Sequence, residues 1–110
     1  MKPNESYDQS MKKYRRVYSL DNQRLCFLTV FLNEHRELES VSFDVEAADD
    51  YHYKFEADQM PKLCETLSCP NSEADIATAF AKCIKTWTDP IEIASFLRNA
   101  GIEFRVFHWY

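Results

Sequence analysis

Leu38-Glu39-Ser40-Val41-Ser42-Phe43-Asp44-Val45-Glu46-Ala47-Ala48-Asp49-Asp50-Tyr51-His52-Tyr53-Lys54-Phe55-Glu56 is the stretch on which the fold turns. From Leu38 to Ala47 the residues alternate: Val41, Phe43 and Val45 point one way, Ser42, Asp44 and Glu46 the other. Ala48-Asp49-Asp50 turns the chain. Tyr51, Tyr53 and Phe55 then alternate with His52, Lys54 and Glu56. A period of two is that of a strand with one buried face, so the stretch predicts a hairpin.

Just beyond it the period changes to that of a helix. Asp58 stands at a cap position before Met60, Leu63, Cys64 and Leu67, spaced as one helical face. Pro61 lies in the first turn, where its missing N–H costs nothing. Cys69-Pro70-Asn71 stops that helix. Ser72 opens a second, with Asp75 at the capping-box position and Ile76, Phe80, Cys83, Ile84 and Trp87 as its stripe. Asp89-Pro90-Ile91-Glu92 starts a third: cap, proline at the first helical position, acid at the third. Gly101 follows Ala100 where a left-handed residue is wanted, with Ile102 as the apolar contact after it.

Upstream of the hairpin, Tyr14 to Leu20 is rich in β-formers, and Asp21-Asn22-Gln23 is a turn. Arg24 to Leu32 is apolar on both parities and reads as a central strand covered on both faces. Ile102 to Tyr110 alternates again and reads as a last strand, at an edge or between earlier strands. The order β-β-β-β-α-α-α-β predicts an α+β fold: an antiparallel sheet of four N-terminal strands plus one C-terminal strand, with three helices packed on one face. Residues 1–110 read as a single domain, with 1–12 as a flexible tail.

A chain of 110 residues buries roughly 65 % of its unfolded surface, enough for one core without metal or disulfide staples. Hydrophobic content of 45 % is far from that of a disordered chain. The single glycine, Gly101, argues against a glycine-rich phosphate loop. A pI near 5.1 argues against nucleic acid or an anionic membrane as the partner, since both require clustered Lys and Arg. Lys12, Lys13, Arg15 and Arg16 with Tyr14 and Tyr18 are read as edge protection rather than a nucleic-acid arm. No apolar run reaches a membrane span, and Met1 to Ser10 lacks the apolar core of a secretory signal. Cys26, Cys64, Cys69 and Cys83 fit no zinc spacing; reduced thiols in a cytoplasmic protein are expected, with all but Cys69 buried.

Charge is concentrated. Between Asn33 and Asp58 nine acids meet only Arg36 and Lys54, a local −7, while the remainder carries +2 and the whole −5. On a hairpin with one buried face, such a run predicts an acidic outer face, either merely solvated or used to bind a basic protein. The candidate contacts are Asp44, Glu46, Asp49, Asp50, His52 and Glu56, with Trp109 as an anchor. Phe107 and Trp109 fall on the parity opposite Ile102, Phe104 and Val106, so either the last strand is covered on both faces or this pair is exposed. The acids lack the spacing and glycine of a calcium loop, so no metal site is expected. His35, His52 and His108 stand near no Ser or Cys at motif spacing, so no catalytic group and no cofactor is expected.

The layout resembles small bacterial immunity proteins of polymorphic and contact-dependent toxin systems. The likeness lies in Asp49-Asp50-Tyr51-His52-Tyr53-Lys54-Phe55 running into Asp58 and Leu63, and in the ending from Phe96 through Gly101-Ile102-Glu103-Phe104 to Trp109-Tyr110. It is one of layout and transfers no binding residue. It implies a cytoplasmic, non-enzymatic inhibitor of one cognate toxin domain, often a nuclease, whose basic surface an acidic hairpin would meet. The competing readings are an assembly subunit joined through a sheet edge, a DNA mimic, and a small enzyme with a pocket between sheet and helices.

Overall fold

A computed structural model of the chain describes residues 4–10, 12–46 and 50–109, with residues 4, 8, 108 and 109 described through their backbone alone. Six strands form one antiparallel sheet: β1 (Asn4–Asp8), β2 (Lys13–Asp21), β3 (Cys26–Leu32), β4 (Leu38–Val45), β5 (Asp50–Phe55) and β6 (Arg105–Trp109). The spatial order is the chain order, β1-β2-β3-β4-β5-β6. A short 3-10 turn (Ala57–Gln59) and three helices, α1 (Met60–Leu67), α2 (Glu73–Lys85) and α3 (Glu92–Asn99), lie between β5 and β6. The α+β class, the antiparallel sheet and the three helices agree with the sequence reading. The strand count does not: Asn4–Asp8, expected as tail, pairs along β2 from Asn4↔Val17 to Asp8↔Lys13. The polar NESYD segment has little strand propensity, and the anchor lies in its partners instead. Arg16 and Arg36 both bind Glu5, and Tyr7 packs on Tyr14 with ring centroids 4.6 Å apart.

The alternation puts Val41, Phe43, Val45, Tyr53 and Phe55 on the helix-covered face, all at most 5 % exposed. Leu28, Val30 and Leu32 of β3 join them, and the helices contribute Leu63, Ile76, Phe80, Ile84, Ile93 and Leu97. Phe80 of α2 is the centre of this packing. Its ring stacks on Phe43 at 5.4 Å and leans on Phe55 at 6.1 Å. Burial of one such side chain is worth about 1.5–3 kcal/mol, so this layer holds the helices to the sheet. Arg24 adds a polar tie: it donates to Asp21 across the β2–β3 turn and to the carbonyls of Ile84 and Trp87, each at 2.8 Å. Those carbonyls belong to the end of α2 and the chain just after it, where intrahelical donors run out.

The helix boundaries follow local chemistry. Asp89 Oδ1 accepts the Ile91 N–H at 3.1 Å in the turn before α3, but the cap position falls on Ile91, which makes no side-chain cap bond, so the helix starts at Glu92 and not at Pro90 as expected. At its end Gly101 takes φ +81°, its N–H bonds to Arg98 O and the Ile102 N–H to Leu97 O. That is the paired closure a left-handed glycine permits, and buried Ile102 completes it. Asp58 and Ser72 make no side-chain cap bond; Ser68, at φ 55°, ends α1.

Candidate functional site

The three helices cover one face of the sheet, and the other face is open. It forms a concave trough of about 710 Å³ lined by Arg15 and Val17 of β2, Phe27, Thr29 and Phe31 of β3, Ser42 and Asp44 of β4, Glu46 just after β4, His52 and Lys54 of β5, and Phe107 of β6. None of these residues comes from a helix. The reading of β3 as covered on both faces therefore needs correction: Cys26, Leu28, Val30 and Leu32 are buried, whereas Phe27, Thr29 and Phe31 are half-buried in the trough.

The floor is built around Asp44. Register sets Asp44 directly opposite His52 on one side and Phe27 on the other, and Thr29 opposite Ser42. His52 Nδ1 lies 2.7 Å from Asp44 Oδ1, Ser42 donates to the same oxygen at 2.7 Å, and Thr29 donates to Oδ2 at 2.6 Å. Asp44 is 5 % exposed, although no helix lies over it. A buried carboxylate survives where donors replace its water, and here three side chains do so. The bond to Nδ1 fixes the ring of His52, and among the described residues Nε2 has no hydrogen-bond partner. Asp44 was expected as an outward contact. Its oxygens are occupied, so it organises the floor instead.

Around that floor the charges are sorted by end. At one end Glu46, after β4, and Asp50, at the start of β5, are exposed. At the other end Lys54 and Arg15 lie against Phe31, at 4.6 and 5.6 Å from the ring centroid, and neither has a carboxylate partner among the described residues. The face is thus bipolar, and the single acidic face expected from the sequence is not what the fold presents. The remaining acids of the run are dispersed. Glu34 and Glu37 sit in the exposed β3–β4 connection, Glu39 pairs with Lys13 at 3.0 Å, and Glu56 lies 3.6 Å from Arg105. Asp49 lies outside the described residues. The backbone of Trp109 pairs with that of Asp50, and its side chain lies outside the description.

The alternative left open for the last strand is settled for Phe107 alone of its pair with Trp109. Phe107 is 43 % exposed, opposite His52, at the rim of the trough. Val106, one residue away and facing the other side, is equally exposed. Sequence reasoning missed Thr29, Arg15 and Phe31 as members of this surface. The hairpin itself held a signal for the Asp44–His52 pair, because both residues fall on the polar parity of its two runs.

No described side chains gather as a cluster of three or more His, Cys, Asp or Glu to hold a metal. All four cysteines are free thiols; Cys26 and Cys64 are buried, and Cys69 and Cys83 are half-buried, so Cys83 is more open than expected. Burial raises all four, Cys26 and Cys64 to about 11. No helix among the described residues is long and apolar enough to cross a membrane. No family model, no curated protein and no solved structure matches this chain.

Proposed function

We propose that the protein is a non-enzymatic inhibitor of the immunity type, which holds a basic toxin domain on the helix-free face of its sheet. The observation that carries this reading is the open trough itself, a concave, half-apolar surface left bare by helices that all pack on one side. Phe27, Phe31 and Phe107 supply apolar area, and aromatic anchors dominate the energy of protein interfaces. Glu46 and Asp50 supply exposed negative charge at one end, suited to a basic side chain of the partner. His52, fixed by Asp44, supplies a pre-oriented polar group between them. Asp44 acts through His52 rather than by contact. The resemblance to immunity proteins gives the partner class, and the overall charge of −5 favours a basic one.

The test is capture of the partner by tagged protein from its native host, at low and moderate salt, followed by binding kinetics. Reversal of Glu46 and Asp50 to Lys should slow association at least tenfold and flatten its salt dependence. An unchanged, salt-insensitive on-rate would remove the charged end from the account.

One observation favours a second reading. An Asp-bonded histidine whose Nε2 has no partner among the described residues, set in a trough, is also what a general base requires. Turnover by the purified protein that His52→Gln abolishes, with the fold intact, would establish that reading in place of the first.

A further inference from the structure

We propose that the cationic end of the helix-free face is a binding site for a small aromatic carboxylate, whose charged group lies between Arg15 and Lys54 and whose ring lies against Phe31. The inference goes beyond the inhibitor reading and stands whether or not that reading holds.

A recess of about 160 Å³ opens here, beside the trough. Arg15, Phe31 and Lys54 line both hollows, and Ser6, Tyr7 and Tyr14 line the recess toward β1. Register builds it. Ser6 stands opposite Arg15, Arg15 opposite Phe31, and Phe31 opposite Ser40, in one row across four strands. A serine side chain is short, so the row dips at both ends. Lys54 belongs to β5, two strands or roughly 10 Å away from β3. It leans back across β4, where Ser40 and Ser42 are short, until its ammonium lies 4.6 Å from the centre of the Phe31 ring. Arg15 meets the same ring at 5.6 Å. Contact with the ring face holds both cations in place before any ligand arrives.

Charge names the ligand. Two cations on one ring repel each other, and neither has a carboxylate partner among the described residues. The acids nearby are engaged elsewhere: Glu39 pairs with Lys13, and Glu5 with Arg16 and Arg36. In a chain of net −5, two adjacent uncompensated cations call for an anion between them. A carboxylate offers two oxygens, one for the guanidinium and one for the ammonium, in charge-assisted hydrogen bonds. Phosphate sites are commonly cradled by backbone N–H groups at a helix N-terminus or a glycine turn. Here the helices pack on the other face, and the single glycine, Gly101, closes α3. The ring follows from the lining: Tyr7, Tyr14 and Phe31 are aromatic, and a cavity of about 150 Å³ suffices for benzene. Because the recess and the trough share Arg15, Phe31 and Lys54, a bound carboxylate also neutralises the cationic end of the trough.

Titration of the purified full chain with benzoate at neutral pH, followed through backbone amide chemical shifts, tests this. The expected result is saturable binding with shifts centred on Ser6, Arg15, Phe31 and Lys54. Benzamide lacks the charge, acetate lacks the ring and inorganic phosphate lacks both ring and carboxylate, so each should bind at least about tenfold more weakly. Lys54→Met and Arg15→Met keep the aliphatic stem and remove the charge, and each should weaken benzoate by about tenfold. Lys85→Met, on α2, should leave it unchanged, and circular dichroism should find the variants folded. Absence of saturable shifts would overturn the proposal, as would shifts spread over the lysines of the whole surface. So would benzoate binding that a folded Lys54→Met or Arg15→Met variant retains in full, or acetate or phosphate binding as tight as that of benzoate.

Discussion

The two faces of the sheet are held by different physics. On the helix side, side chains fit by volume: Phe43, Phe55 and Phe80 are fully buried, and the first two both pack on the ring of Phe80. On the open side they fit by hydrogen bond and charge: Asp44 collects Thr29, Ser42 and His52, while Arg15 and Lys54 cover Phe31. The difference teaches where stability and recognition reside. A volume-packed face is saturated and has nothing left to offer, whereas a polar floor with half-exposed rings keeps contacts for a partner.

The sharpest way to break this comparison is truncation at the centre of the packed face. Phe80→Ala should cost about 3–5 kcal/mol, a large share of the stability of a domain this size, read as a lower urea midpoint. Next comes the polar floor. Asp44→Ala leaves Thr29, Ser42 and His52 without their acceptor and should cost about 2–3 kcal/mol, with Thr29→Val near 1 kcal/mol. If Asp44→Ala cost as little as Thr29→Val, the carboxylate would not organise the trough.

The smallest effects come with pH, and they divide the molecule again. The hydrogen bond from Arg16 holds Glu5 below the usual carboxylate range, and that from Arg24 does the same for Asp21. Groups lowered in the folded state contribute stability above their unfolded value and lose it as pH falls through the folded one. Burial raises Cys26 and Cys64 from an ordinary 9.0 to about 11. The unfolded chain therefore ionises first as pH rises, and stability falls between about 9 and about 11. Denaturation midpoints should form a plateau between an acid arm and an alkaline arm. Arg24→Met should blunt the acid arm, and Cys64→Ala the alkaline one.

Much of the fold was legible because its periods are clean. Val41, Phe43, Val45 and Tyr53, Phe55 alternate without a break, and Gly101-Ile102 closes α3 with the expected cap chemistry, whereas its start lies two residues beyond the Asp89-Pro90 signal. β1 was not legible, since its attachment depends on Arg16 and Arg36, whose partner in Glu5 is a matter of tertiary placement. The trough was half legible. Parity put Asp44, His52 and Lys54 on one face, but the identity of the neighbours on β3 and β2 depends on register, which composition does not specify. For the same reason a run of nine acids read as one acidic face, although cross-strand cations and a buried aspartate divide it.

Phe107 and Phe96 offer the most direct test of the central claim. They are exposed to 43 % and 40 %, the first at the rim of the trough, the second on α3 against Trp87. Replacing each by Lys and measuring affinity for the captured partner compares the two sides of the molecule with a matched change. The account predicts that Phe107→Lys abolishes binding and Phe96→Lys leaves it within about twofold. Loss of binding in Phe96→Lys with retention in Phe107→Lys would contradict it, and would move the interface to the helices.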